Sequence, residues 1–178
     1  MPVLSDELLI KSIILSENHT SKKIKNEEFD GWLYLLQINK VKEPFMRCMP
    51  DEKRIKIIDN NFFWLKSFPR GRHYSIITIF NENLQVIQWI FDLLICDESL
   101  GDNIPAMKKC YINITINGDG RFYIINEELL SKAFSNNQIT SNEYKLISQT
   151  IFEIICNYNN ITKLKDFSMK YLKMFNLF

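Results

Sequence analysis

At Asn126 the hydrophobic period of the chain changes from two residues to about 3.6, and this switch constrains the fold class more than any other feature. Upstream, Ile112, Ile114 and Ile116 alternate with Asn113 and Thr115, the pattern of a strand buried on one face. Asn117-Gly118-Asp119-Gly120 supplies residues that tolerate a tight turn, and residues 121–125 return as a second strand. Downstream, Leu129, Leu130, Ala133 and Phe134 recur at helical spacing. Asn126 suits the N-cap, and Glu127 and Glu128 suit the positive end of the helix dipole. Thr140-Ser141-Asn142-Glu143 has the form of a capping box and predicts a second helix to about Asn157. Leu164, Phe167, Tyr171, Leu172 and Phe175 predict a third.

Strand signals fill the region before the switch. GWLYLLQINKV at 31–41 is rich in strand formers and is ended by Glu43-Pro44. Residues 54–58 and 62–68 read as two strands around Asp59-Asn60-Asn61, and 73–80 with 84–94 read as a hairpin around Asn81-Glu82-Asn83. Residues 1–26 give no clear pattern. Strands first and helices last define an α+β fold, expected as an antiparallel β-barrel-like sheet followed by C-terminal α-helices. The expected organisation is an N-terminal segment over 1–28 packed on the barrel, the β region over 29–125, and a helical segment over 126–178.

Composition narrows the function classes. Hydrophobic residues are 46% and aromatic residues 13% of 178, which predicts a packed core. A net charge of +1 gives no broad electrostatic case for nucleic acid or for a membrane surface. No apolar run approaches the roughly 20 residues needed to span a bilayer, and Asp6 and Glu7 interrupt the one N-terminal apolar stretch, so no signal peptide is expected. Cys48, Cys96, Cys110 and Cys156 are widely spaced, without a CxxC or Cys/His pair. They predict reduced thiols in a cytoplasmic protein rather than a zinc site. The heavy use of Ile, Asn and Lys suggests, on composition alone, an AT-rich bacterial genome.

The phosphate loop, GxGxxG, HExxH and the nucleophile elbow are all absent. His19 and His73 lack the spacing of metal ligands. FPRGRHY at 68–74 is the most suggestive polar cluster. A turn shaped by Pro69 and Gly71 would present Arg70 and Arg72 for phosphate, with Trp64 or Tyr74 available to stack on a base; a plain solvated turn explains the same residues. Asp92 closes the strand segment WIFD, where it either caps the strand or binds a cation. Helix capping alone accounts for Asn126 and Glu127.

The order and spacing of these pieces resemble the FomD-like family, also known as domain of unknown function 402. Its characterised members hydrolyse nucleoside di- and triphosphates or related esters with a divalent metal. The relevant stretches are GWLYLLQINKVKEPF at 31–45, WLKSFP at 64–69, WIFD at 89–92, KKCYIN at 108–113, NGDG at 117–120, INEELL at 125–130 and ITSNEYKL at 139–146. Together they cover about residues 29–158. The corresponding family segments read GYISLLYIDKVREPL, W-x-x-x-(F/Y)-P, WYFD, DDLYLD, a glycine turn, LDEDEL and ITKEEYD. The resemblance implies a magnesium or manganese site at Asp92, Asn126, Glu127 and Glu128, and a nucleotide or other phosphate-bearing small molecule as partner.

The family's acidic strand is altered. The leading acids of DDLYLD fall on Lys108 and Lys109, its closing aspartate on Asn113, and the first aspartate of LDEDEL on Asn126. Divalent magnesium and manganese favour anionic oxygen ligands. Exchanging a carboxylate for an ammonium about 4 Å from a dication shifts the interaction by several kcal/mol even at an effective dielectric near 20. Metal-dependent hydrolysis is therefore expected to be weakened or lost. An ammonium from Lys109, with Asn113 beside it and Lys108, Arg70 and Arg72 contributing to phosphate binding, would take over the missing cation's role in a metal-independent nucleotide binder. Plain drift, with the lysines on a strand edge and no site left, explains the same substitutions; residual metal-dependent catalysis and an RNA- or protein-interaction module are the further alternatives, the RNA expectation being weakened by the near-zero charge.

Overall fold

The computed structural model describes residues 10–96 and 107–177, with the side chains of residues 96, 107–109 and 111 outside the description. Nine strands precede three C-terminal helices among the described residues. They are β1 (Ile14–Lys25), β2 (Asp30–Val41), β3 (Phe45–Cys48), β4 (Arg54–Ile58), β5 (Phe62–Pro69), β6 (Tyr74–Phe80), β7 (Val86–Cys96), β8 (Met107–Asn117) and β9 (Phe122–Ile125). The helices are α1 (Glu127–Ser135), α2 (Ser141–Asn157) and α3 (Ile161–Lys173). No helix among these residues is long and apolar enough to cross a membrane.

Seven strands form one antiparallel sheet in the order β1-β2-β5-β6-β7-β8-β9, and β3 and β4 form a separate hairpin. The α+β class stands, but the sheet is open: β1 and β9 are its two edges and do not pair. A period of two is common to open and closed sheets. Closure is set by strand tilt and stagger, which alternation does not encode. Here the sheet is covered by other elements on each side instead of by itself.

Alternation assigns the two faces. On one, Leu33, Leu35, Leu65 and Phe80 pack with Tyr171 and Leu172 of α3. On the same face Ile76, Trp89, Phe91, Ile112, Ile114 and Ile116 pack with Leu130 of α1 and Ile147 and Ile154 of α2. On the other face Ile57 and Ile58 of the β3–β4 hairpin cover Ile38, Ile79 and Ile90. Strand β6 is therefore buried on both sides nearly throughout, which explains why YSIITIF reads as a continuous apolar run. The hairpin is anchored at its tip, where Arg121 Nη1 and the Tyr123 hydroxyl both donate to Asp51, at 2.9 and 2.8 Å. Lys53 adds an ion pair to Asp119 at 3.3 Å.

Two strands escape a reading by pattern. β1 pairs with β2 over most of its length, yet its residues are nearly all exposed, so it carries no apolar period. It is an edge strand studded with lysine, the composition that discourages edge-to-edge association. β3 is four residues long. Residues 54–58 and 62–68, read as two strands around a turn, enter different sheets: β4 pairs with β3, and β5 with β2 and β6.

Candidate functional site

The β3–β4 hairpin covers only part of its face and leaves the rest open. Within β5, Phe63, Leu65 and Ser67 turn toward the helices, so Trp64, Lys66 and Phe68 turn toward this open region. Register places Lys66 between Tyr34 of β2 and Ile77 of β6. A concavity of about 390 Å³ is lined there by His19, Ser21, Tyr34, Trp64, Lys66 and Ile77, among others. The Trp64 indole N–H donates to the Ile57 carbonyl at 2.9 Å, which fixes the ring as one wall. Tyr34 meets Phe68 edge-on at 5.6 Å between centroids, and Lys23 lies 5.7 Å over the Trp32 ring.

A row of polar side chains crosses the sheet beside this concavity. Ser75, Asp92 and Asn113 stand directly opposite one another on β6, β7 and β8. Asn113 Nδ2 donates to Asp92 Oδ1 at 2.8 Å. Lys66 Nζ lies 3.6 Å from Asp92 Oδ2 and 4.9 Å from the Phe68 ring centroid. The Asp92 side chain is 12% exposed and that of Lys66 28%. Ser75 is fully buried, and its hydroxyl has no hydrogen-bond partner among the described residues.

The residues singled out in the sequence divide between the two faces. Asp92 and Asn113 come together through their hydrogen bond, and Trp64 lies on the same face of the sheet, lining the concavity with Lys66. Tyr74 lies on the helix face, 3% exposed, with its hydroxyl 3.0 Å from that of Tyr158. Burial raises the Tyr74 hydroxyl far above the usual tyrosine range, and burial raises Tyr158 as well. Trp64 and Tyr74 therefore share no surface on which a base could stack. Arg72 is engaged with Glu153 of α2 at 2.8 Å, and Arg70 lies 3.9 Å from Asp30. The backbones of Lys108 and Lys109 pair with Ile95 and Leu94, but their side chains lie outside the described residues.

Asn126 precedes α1 as expected, but through its backbone: φ is 67°, and its side chain makes no capping bond. Glu127 and Glu128 are exposed in the first turn of α1, which packs on the helix face through Leu130 and Ala133. Among the described residues no three His, Cys, Asp or Glu side chains are grouped as metal ligands. Asp92 instead faces one amide N–H and one ammonium, a donor set that does not fit an octahedral divalent cation.

Lys66, Tyr34 and Ser75 are the residues that a reading of motifs misses. The lysine had a signal, since WLKSFP places one cation in the apolar alternation of a central strand. The serine had none. No family model matches this chain, and no curated protein matches it.

Proposed function

We propose that this chain binds a nucleotide, or a phosphate-bearing aromatic molecule of similar size, on a fold resembling that of the FomD-like phosphohydrolases. In this proposal metal-dependent hydrolysis is weakened or lost. The observation that carries it is the placement of Lys66 in one concavity with Trp64 and Tyr34. A volume of about 390 Å³ is in the range of small-molecule sites. Aromatic walls accept any base by stacking, and an ammonium with three donors binds phosphate as a compact point charge. This assignment moves the phosphate contact from the Arg70–Arg72 turn to the middle of the sheet.

Phosphoryl transfer depends on neutralising charge and positioning an attacking water, work that a dication performs in the family this chain resembles. Lys66 supplies one positive charge, and Asp92 balances it at 3.6 Å. Such a pair can hold a phosphate and does not by itself lower the pKa of a water molecule. Recognition of an extended RNA backbone is less well supported, because it relies on clustered basic residues.

Titration of tryptophan fluorescence with ADP, ATP and GTP in EDTA tests the proposal. Saturable quenching is expected, with affinity about tenfold weaker in Lys66→Met, the loss of one charge-assisted contact. Phosphate release with magnesium or manganese should stay near background. Absence of quenching by all three nucleotides would exclude nucleotide binding here, and metal-dependent turnover abolished in Asp92→Ala would restore the metal-dependent phosphatase.

A further inference from the structure

We infer that phosphate binding makes Lys66 change partners, from Asp92 to the ligand, and that the Ser75 hydroxyl then takes the ammonium's place on Asp92. This rests on nucleotide binding in the concavity as proposed above. It begins from an anomaly: Ser75 is fully buried, yet its Oγ has no partner among the described residues. Buried hydroxyls nearly always find one, and leaving one unpaired is costly. An unpaired group at a site that changes state is explained when its partner becomes available in the other state.

Register identifies that partner. Ser75 and Asp92 are directly opposed on β6 and β7, so their side chains leave the same face of the sheet, with Cβ atoms about 5 Å apart. The serine hydroxyl reorients by rotation about a single side-chain torsion between staggered wells. Asp92 itself is held, since Oδ1 accepts from Asn113 at 2.8 Å. Its Oδ2 faces Lys66 at 3.6 Å, well beyond the roughly 2.8 Å of a charge-assisted hydrogen bond. The ammonium is steered by Asp92 and the Phe68 ring without being fastened to either. It is also the more exposed member of the pair, so it is the end that can move.

When Lys66 swings to a phosphate, a carboxylate that is only 12% exposed loses its counter-charge. The Ser75 O–H, directly opposed to Asp92 and without a partner among the described residues, then donates to Oδ2, which satisfies both groups at once. The two states differ in which donor serves Asp92, not in whether it is served. Asp92 becomes a specificity residue in an unexpected sense. It competes with the ligand for Lys66 and repels a second anion, so it sets an upper limit on phosphate affinity. In a metal-dependent relative, loss of the same carboxylate would weaken substrate binding.

A double-mutant cycle over Ser75 and Asp92, read by ADP titration in EDTA, tests this exchange. Asp92→Asn is expected to bind ADP about tenfold more tightly than the wild type. Ser75→Ala is expected to bind it about threefold to tenfold more weakly, from the loss of one hydrogen bond to a charged group. Ligand-free Ser75→Ala should melt no lower than the wild type, because the hydroxyl it removes is unpaired in that state. In the Asp92→Asn background the serine substitution should have little further effect on ADP. Unchanged or weaker binding in Asp92→Asn, or a Ser75→Ala penalty of equal size in both backgrounds, overturns the exchange while leaving nucleotide binding intact. If none of the four proteins binds ADP, nucleotide binding fails and the exchange with it.

Discussion

Asn126 illustrates how much a single residue type can hide. Its side-chain chemistry suits an N-cap, but in the structure it contributes a left-handed backbone, φ 67°, at the corner between β9 and α1. Asn61, Asn137 and Asn176 take the same region, at φ 61°, 54° and 50°. The asparagine richness of the chain is thus partly a supply of residues for positive φ, where other side chains cost about 1–2 kcal/mol. Asn126→Gly should leave stability within a few tenths of a kcal/mol, while Asn126→Ala should lose about 1 kcal/mol. Denaturant midpoints check this, and Asn126→Ser, which keeps a capping oxygen but not the tolerance of positive φ, should fall near the alanine variant if the backbone is what matters. Residues of the proposed site show the same limit. Alternation places Lys66 opposite in sense to Leu65 and Ser67, but it cannot say which face a hairpin leaves open. The Ser75 hydroxyl, without a partner among the described residues, has no counterpart in sequence at all.

At the scale of elements, legibility follows local chemistry. The capping box of α2 is present as its sequence indicates: Glu143 N–H donates to Thr140 Oγ1 at 3.2 Å, and Thr140 N–H donates to Glu143 Oε2 at 2.6 Å. Thr140→Ala should cost about 1 kcal/mol in denaturant unfolding. The docking of the β3–β4 hairpin was not legible, because its contacts join residues about seventy positions apart: Asp51 with Arg121 and Tyr123. Charge makes that docking sensitive to pH. Hydrogen bonds from Arg121 hold the Asp119 carboxyl down at about 2, below its ordinary 3.8, and the Tyr123 hydroxyl lowers Asp51. A carboxylate with a depressed folded pKa contributes stability above its unfolded value and loses it as pH falls through the folded one. Acidification from pH 5 toward 2 should therefore loosen the hairpin, modestly, since the cluster is exposed and screened. The denaturant midpoint of Arg121→Ala should lie below the wild type at pH 6 and converge with it near pH 2, and 1 M salt should also narrow the gap.

Across the whole molecule the two faces of the sheet are covered differently, one by the C-terminal helices and the other by the β3–β4 hairpin. The α+β order was legible because the hydrophobic period switches once, at Asn126. The open sheet was not, since what replaces closure is α3, a helix whose inner side is partly polar. Ser168 of α3 accepts from the Trp89 indole at 2.9 Å, lies 3.2 Å from the Thr78 hydroxyl, and donates to the Leu164 carbonyl at 2.8 Å. All of this lies beneath the helix face, whereas Lys66, Asp92 and Ser75 belong to the hairpin face. Ser168→Ala leaves the buried Trp89 N–H without its acceptor and should cost about 1–3 kcal/mol. ADP affinity should be unchanged, because none of the side chains lining the concavity belongs to that network. Lys66→Met should show the converse, weakened ADP binding with a thermal midpoint close to that of the wild type. Loss of ADP affinity in Ser168→Ala at a temperature where the variant remains folded would mean that the faces are coupled through the sheet, and that α3 helps shape the site as well as support it.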